Sequence, residues 1–361
     1  MPCKFRFIVT FFLLFCVWGQ TNAQNVAYFT DKLGRLFAFD AGQIHKLEHQ
    51  NFKNIKLGGN YFIYEDALKQ TIRYKDGQKE ALDLMPSTHL FEPHQELLIC
   101  NIQNSLRVYS DKGRRVLSIG SNIPYTAGDS VVAFVDFDRF LKVFYHNQVY
   151  DVSNQAIVDI KANDNTIAYS TQGSTFEIWY NGETIEIENN LPNEYLVGNN
   201  YATYLNRFNE LYVYDAGELI QLTRKKPTLW TAGDNFTAFS GDNDNFLVYY
   251  KGKTEELLSI LPKSYAAADS IMAYTDHTNH FNVWYKGQTY TLEAYQPAQV
   301  SVKGGVVVYT DLDGRLKGFY EGVPVKISEN IAENYELQGR AVVYSILNGE
   351  KKVFWNGKTY N

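Results

Sequence analysis

The sequence of 361 residues predicts an all-β fold made of ten similar units in a row, and three observations carry that expectation. The first is a period of 35 residues. The turns Asp40-Ala41-Gly42, Asp76-Gly77, Asn181-Gly182, Ala216-Gly217, Lys251-Gly252, Lys286-Gly287, Glu321-Gly322 and Asn356-Gly357 lie 35 residues, or multiples of 35, apart. The second is a set of columns in register with those turns. Three residues before the turn glycine, or at the equivalent position, stand Phe39, Tyr74, Tyr109, Phe144, Trp179, Tyr214, Tyr249, Trp284, Phe319 and Phe354, all aromatic. Ten residues before each of these is a second column, from Phe29 and Tyr64 to Tyr309 and Tyr344, in which only Ile99 is not aromatic. The third is composition: 27 Tyr and 23 Phe against three Met favour pleated, half-buried surfaces over helices.

The N-terminus precedes the repeats. Lys4 and Arg6 are followed by an apolar run of twelve residues from Phe7 to Trp18 and by the small-residue site Thr21-Asn22-Ala23, the order of a secretory signal peptide. Residues 1–23 are therefore expected to be removed, leaving 24–361 as the mature chain. Removal of Lys4 and Arg6 leaves 32 basic against 40 acidic residues, a net charge of -8. Such a chain offers no broad basic field for nucleic acid, and no later run is apolar long enough to span a bilayer. Cys16 follows Leu-Leu-Phe, where a lipoprotein signal needs a small residue, so no lipid anchor is expected. Cys100 is the one cysteine left and lies in the apolar run Leu97-Leu98-Ile99-Cys100, which predicts a buried, inert thiol.

Each unit reads as four short strands. In the fifth, Thr166 to Ser170, Phe176 to Tyr180 and Thr184 to Ile187 are β-branched and aromatic runs broken by Gly, Asn and Ser. A fourth, shorter run precedes the first of these in every unit but the opening one, as in Tyr195-Leu196-Val197-Gly198 and Trp230-Thr231-Ala232-Gly233, and ends in a tight Asn- or Asp-containing turn. Double aromatics such as Trp179-Tyr180, Tyr249-Tyr250 and Trp284-Tyr285 place large rings on both faces of a strand. Four-stranded sheets that are apolar on both faces stack around an axis, so the predicted architecture is a β-propeller of about ten blades in a single ring. The column from Phe39 to Phe354 is its structural core, with sugar binding as the competing reading of those rings.

Units such as Trp230-Thr231-Ala232-Gly233-Asp234-Asn235, leading to Phe236-Thr237-Ala238-Phe239 and then Phe246-Leu247-Val248-Tyr249, resemble repeats of the TolB-like propeller superfamily, related to tryptophan-aspartate-repeat propellers. The resemblance covers residues 26 to 361, although the fuller blade signatures of those families are absent and 35 residues is short for a blade. The Ala23-Gln24 cleavage point and the wealth of Asn and Tyr look like exported proteins of Bacteroidota. Within that group an acidic propeller without enzyme motifs is similar to the periplasmic plug proteins of the type 9 secretion translocon. The resemblance implies a soluble periplasmic protein, not a lipoprotein, that docks on an outer-membrane or periplasmic protein complex and is monomeric by itself.

The end units raise the question of closure. The first begins at Val26, so the place of its innermost strand falls within the signal, and that blade is expected to have three strands. The last reaches only Lys358-Thr359-Tyr360-Asn361, which leaves no strand to complete the first. Closure is thus expected from face packing without strand exchange, with an open spiral or two fused five-blade rings as the alternatives.

Signals for chemistry are sparse. Asp31, Asp66, Asn101, Asp136, Asn206, Asp276 and Asp311 share one position in the loop between the second and third strands of each unit, where Asp and Asn also fit simple turns. With the nearby Arg35, Arg139 and Arg315, the residues Asp31, Asp66, Asp136, Asp276 and Asp311 are the candidate partner-binding set on one face of the disc. Asp242-Asn243-Asp244-Asn245 and Asp311-Leu312-Asp313-Gly314 hint at calcium loops, but the place of a later bidentate acid after Asp242 holds Lys253. The histidine pairs His45 with His49, His89 with His94 and His277 with His280 lack zinc-site spacing. No Gly-x-Ser-x-Gly elbow, phosphate loop or dinucleotide fingerprint occurs. No catalytic residue, cofactor or metal is therefore expected. The leading expectation is a non-enzymatic docking protein, with a ligand- or glycan-binding propeller and a propeller hydrolase or lyase as alternatives.

Overall fold

A computed structural model of the chain describes residues 26–82, 90–102 and 104–361; the expected signal segment and His89 lie outside the described residues. The described elements are all strands, 38 of them, arranged as nine antiparallel sheets. Seven sheets have four strands, one has three, and one of seven strands comprises two blades, so the chain forms ten blades. Strands are lettered a to d here from the first to the last of each blade. Blade 5 is representative, with Ile157–Asn163, Thr166–Thr171, Phe176–Tyr180 and Glu183–Glu188 paired in that order.

Local sequence explains the meander. At the c–d turn of blade 5 both Asn181 and Gly182 have positive φ, 50° and 90°, the type I′ geometry that matches the twist of a two-residue hairpin. Blade 4 makes the same turn with His146 and Asn147 at φ 46° and 63°. Strand b lies between neighbouring blades and is buried on both sides: every residue of Tyr61–Glu65, Tyr201–Leu205, Phe236–Ser240 and Ile271–Thr275 is buried. Strand d lies at the rim and is polar, as in the fully exposed Gln78–Ala81.

The ten column residues are all buried and carry the stacking between blades. Tyr145 of blade 4 meets Trp179 of blade 5 edge-on at 5.5 Å, and Tyr250 meets Trp284 of blade 8 at 5.3 Å. Tyr285 with Phe319 and Tyr320 with Phe354 extend this aromatic relay through blades 9 and 10. Trp355 of blade 10 then meets Phe39 of blade 1 at 5.8 Å, and Ala341, Val343 and Val353 pack with Ala27, Phe29 and Phe39. The last blade thus lies against the first, as a single ring requires. Blade 1 has three strands among the described residues, Val26–Thr30, Leu36–Asp40 and Gln43–Glu48.

One element departs from the expected row of separate blades. Val323–Gln338 is a single strand of 16 residues that pairs first with Arg315–Tyr320 of blade 9 and then with Ala341–Ile346 of blade 10. Five of the other links between blades contain proline, at Pro124, Pro192, Pro227, Pro262 and Pro297, which removes a ladder donor. The segment Ile327-Ser328-Glu329-Asn330-Ile331 has neither Pro nor Gly, which permits pairing to continue from one blade into the next but does not dictate it, since the links 49–52 and 152–156 also lack both and end their sheets.

Candidate functional site

Antiparallel pairing places the b–c loops of all blades on one face of the disc and the a–b and c–d turns on the other. The b–c face holds the acidic positions singled out above. Each of those aspartates caps its own loop. Asp31 Oδ1 accepts from the backbone N–H of Leu33 at 3.0 Å and of Arg35 at 2.9 Å, and Asp66 Oδ1 from those of Leu68 at 2.9 Å and Gln70 at 2.8 Å. Asp276 and Asp311 accept two backbone N–H groups each in the same way, and Asn206 does so in blade 6. Asp136 accepts from Phe137 N–H and Ser118 Oγ and pairs with Lys142 at 2.9 Å. The Arg35 guanidinium, hydrogen-bonded to Asp31, holds that carboxyl below the usual carboxylate range. Arg315 pairs with Asp313 at 3.4 Å, and Arg139 adopts a positive φ of 69° in its loop. Fold and sequence position therefore bring the acidic set together on one face, with the side chains turned into their own loops.

The groups that project from these loops are apolar. Leu33, Leu68, Phe137, Phe208, Leu312 and Leu347 stand one or two residues after the capping position and are 64% to 87% exposed. Blades 9, 10, 1 and 2 are consecutive around the ring, so Leu312, Leu347, Leu33 and Leu68 form an arc. Two cavities of about 390 and 530 Å³ open along that arc, one beside Ile331 and Leu347 and the other beside Phe29, Phe37 and Ile44. Sequence reasoning overlooked these tips; the available signal was a Leu or Phe at the crest of a loop whose other residues are turn formers.

The opposite face has a second feature that the sequence reading treated only as turns. Asp129, Asp164, Asp234 and Asp269 occupy one repeat position in the a–b turns and line a cavity of about 470 Å³ with Lys303 and Arg340. The turns bond to one another around the axis: Ser130 N–H donates to Asp164 O at 3.1 Å, Asn199 N–H to Asp234 O at 2.7 Å and Asp234 N–H to Asp269 O at 2.7 Å. Close approach requires glycine just before the turn, since a Cβ on Gly198 would lie 2.2 Å from Asp234 O and one on Gly233 2.1 Å from Asp269 O. Burial, followed by the neighbouring aspartate charges, pushes Asp129 and Asp234 up to about 7, and burial raises Asp164 as well.

Cys100 is buried, and burial pushes its thiol up to about 11, so it is protonated at neutral pH. Among the described residues no group of three or more His, Cys, Asp or Glu is placed to hold a metal ion. His94 contacts Glu92, and His280 contacts Thr278 within its own loop.

Residues 20–360 match the sequence profile of a family described as a 10-bladed beta propeller domain. No curated protein matches the chain. Among solved structures, the computationally designed Ika8 protein is similar at 16% identity and a TM-score of 0.36, over 75% of this chain and 96% of its own. BamB from Moraxella catarrhalis is similar at 11% identity and a TM-score of 0.30, over 73% and 95%. PorZ, a surface component of the type-IX secretion system of Porphyromonas gingivalis, is similar at 8% identity and a TM-score of 0.29, over 94% and 59%.

Proposed function

The chain belongs to the family of 10-bladed beta propeller domains, and from that premise we propose that it is a non-enzymatic periplasmic docking protein that seats on, or plugs, an outer-membrane protein-export complex of the type 9 kind. The observation that carries the docking reading is the b–c face, where six Leu and Phe side chains project from short loops of a rigid ring. Such side chains gain about 1.5–3 kcal/mol each when a partner removes them from water. A standard interface of about 1,600 Å² fits on the face of a ring this wide. The periplasmic address rests on the signal read at residues 1–23, and the type 9 partner on the resemblance of the acidic, motif-poor repeats to the plug proteins.

The test is capture of the partner complex from solubilised native envelopes by the tagged protein, followed by mass spectrometry. The variant Leu33→Ser/Leu68→Ser/Leu312→Ser/Leu347→Ser is expected to lose the complex while keeping the wild-type melting temperature. Undiminished capture by that variant refutes the docking face, and recovery of the protein from culture medium refutes the periplasmic address. One observation favours a second reading, a ligand-binding or hydrolytic channel mouth: carboxyls that titrate near 7 beside a polar cavity are common at functional sites. Turnover of a glycan or peptide by the purified protein, lost in Asp129→Asn/Asp234→Asn, would favour it over docking.

A further inference from the structure

The chain itself crosses nine of the ten joints between blades. The tenth, between blade 10 and blade 1, is held by non-covalent contacts alone, and its contacts differ from those elsewhere. At three other joints a tyrosine of strand b clasps a glutamate at the end of the preceding blade. Tyr64 Oη donates to Glu48 at 2.7 Å, Tyr204 to Glu188 at 3.0 Å and Tyr309 to Glu293 at 2.9 Å. In blade 1 that column holds Phe29, which has no hydroxyl. Its ring stacks on Phe37 of the same blade at 5.3 Å, facing the 530 Å³ cavity whose other wall is Asn348 to Lys351 of blade 10.

Nearer the axis one side chain spans the joint. Gln338 is buried at the end of Val323–Gln338, and its carboxamide meets both backbone groups of a single residue of blade 1. Its Oε1 accepts from Tyr28 N–H at 2.8 Å and its Nε2 donates to Tyr28 O at 3.1 Å. This two-bond pattern is the one that a residue of an antiparallel neighbour strand makes in a hydrogen-bonded pair. The repeat explains why a long side chain fits here. The same position is Gly128, Gly198 and Gly233 in blades 4, 6 and 7, where the backbone of the next blade's a–b turn presses to within 2.4 Å of a Cβ. Blade 1 has no strand a among the described residues, and Gln338 fills the place that such a turn takes at the other joints.

We propose that the ring opens and recloses at the joint between blades 10 and 1, and that the Gln338 carboxamide on Tyr28 is the latch. Opening separates Phe29 and Phe39 from Val343 and Val353 and gives lateral access to the central channel. The joint lies within the arc of Leu312, Leu347, Leu33 and Leu68, but the proposal is tested on the protein without any partner, so its failure and that of the docking reading are distinguishable.

Native-state hydrogen exchange read by mass spectrometry tests it. Amides of Val26–Thr30 and Lys351–Trp355 are expected to exchange at least about tenfold faster than those of Phe236–Ser240 in blade 7, and Gln338→Ala is expected to speed only the joint by about a further tenfold. Gln338→Glu separates a latch from packing. Its carboxylate can accept from Tyr28 N–H but cannot donate to Tyr28 O, whereas the protonated acid does both. That variant should therefore open readily at pH 8 and return toward wild type at pH 4, each compared with wild type at the same pH because Tyr28, Glu336 and Arg340 are nearby titratable or charged groups. Uniform exchange around the ring overturns the proposal. So do an equal effect of Gln338→Ala on every blade and a Gln338→Glu phenotype independent of pH. Should the alanine variant fail to fold, the glutamate variant carries the test.

Discussion

Trp179 shows what a single residue of the repeat contributes. Its indole is buried against Tyr145 and Tyr150 of the preceding blade, so truncation leaves a cavity between two sheets that the neighbouring joints hold in place. Trp179→Ala is expected to cost about 3–5 kcal/mol, measured by chemical denaturation. The same change at an exposed ring such as Phe137 should leave stability within about 0.5 kcal/mol of wild type. Asp129 and Asp234 make the opposite contribution. Their carboxyls titrate at about 7 in the fold against 3.8 for the unfolded group, so the folded state holds its protons more tightly. A raised acid is neutral and harmless at low pH; its cost builds as pH climbs from about 4 to 7 and is complete above that. Asp129→Asn/Asp234→Asn should accordingly stabilise the protein at pH 8 by about 1–2 kcal/mol after allowance for water at the cavity mouth, and leave it unchanged at pH 4. Melting curves at the two pH values check this.

The b–c loop is the element on which the two roles of aspartate separate. Asp66 Oδ1 takes two backbone N–H groups, and an Asn side chain presents the same acceptor without the charge. Asp66→Ala should cost about 0.5–1.5 kcal/mol, while Asp66→Asn should be close to neutral in stability. If Asp66→Asn also captures the partner normally, the acids of this face serve their loops; if capture falls and becomes less sensitive to salt, their charges steer docking. The candidate set of Asp31, Asp66, Asp136, Asp276 and Asp311 was legible because it recurs with the period. The Leu and Phe tips were not, because they occur in only some blades and at either of two adjacent loop positions. Exposure decides their meaning, and the same residue types fill the core.

At the scale of the whole molecule, ten blades of similar length give a flat rigid face, and binding energy then depends on which side chains rise from it. Loss of four leucine tips should weaken docking by more than about a hundredfold even if each contributes only about 1 kcal/mol. Circular permutation is not needed to find the weakest joint of the ring, since the chain ends already mark the one joint without a covalent crossing. Partial opening there, rather than uniform loosening, is the expected motion.

The amino-acid sequence alone determined the strand order, the blade count and the buried columns, because each depends on residues within one 35-residue unit or on its repetition. The seven-stranded sheet was not legible, because the links 49–52 and 152–156 also lack Pro and Gly and yet separate their blades. Tertiary structure decided the rest. The charges of Asp164 and Asp269 add to burial in raising the carboxyls of Asp129 and Asp234 only when separate blades curve round a common axis. Gln338 meets Tyr28 across 310 residues only because the last blade lies against the first. The first arrangement depends on the curvature of successive blades and the second on closure of the ring, and neither is contained in a single 35-residue unit.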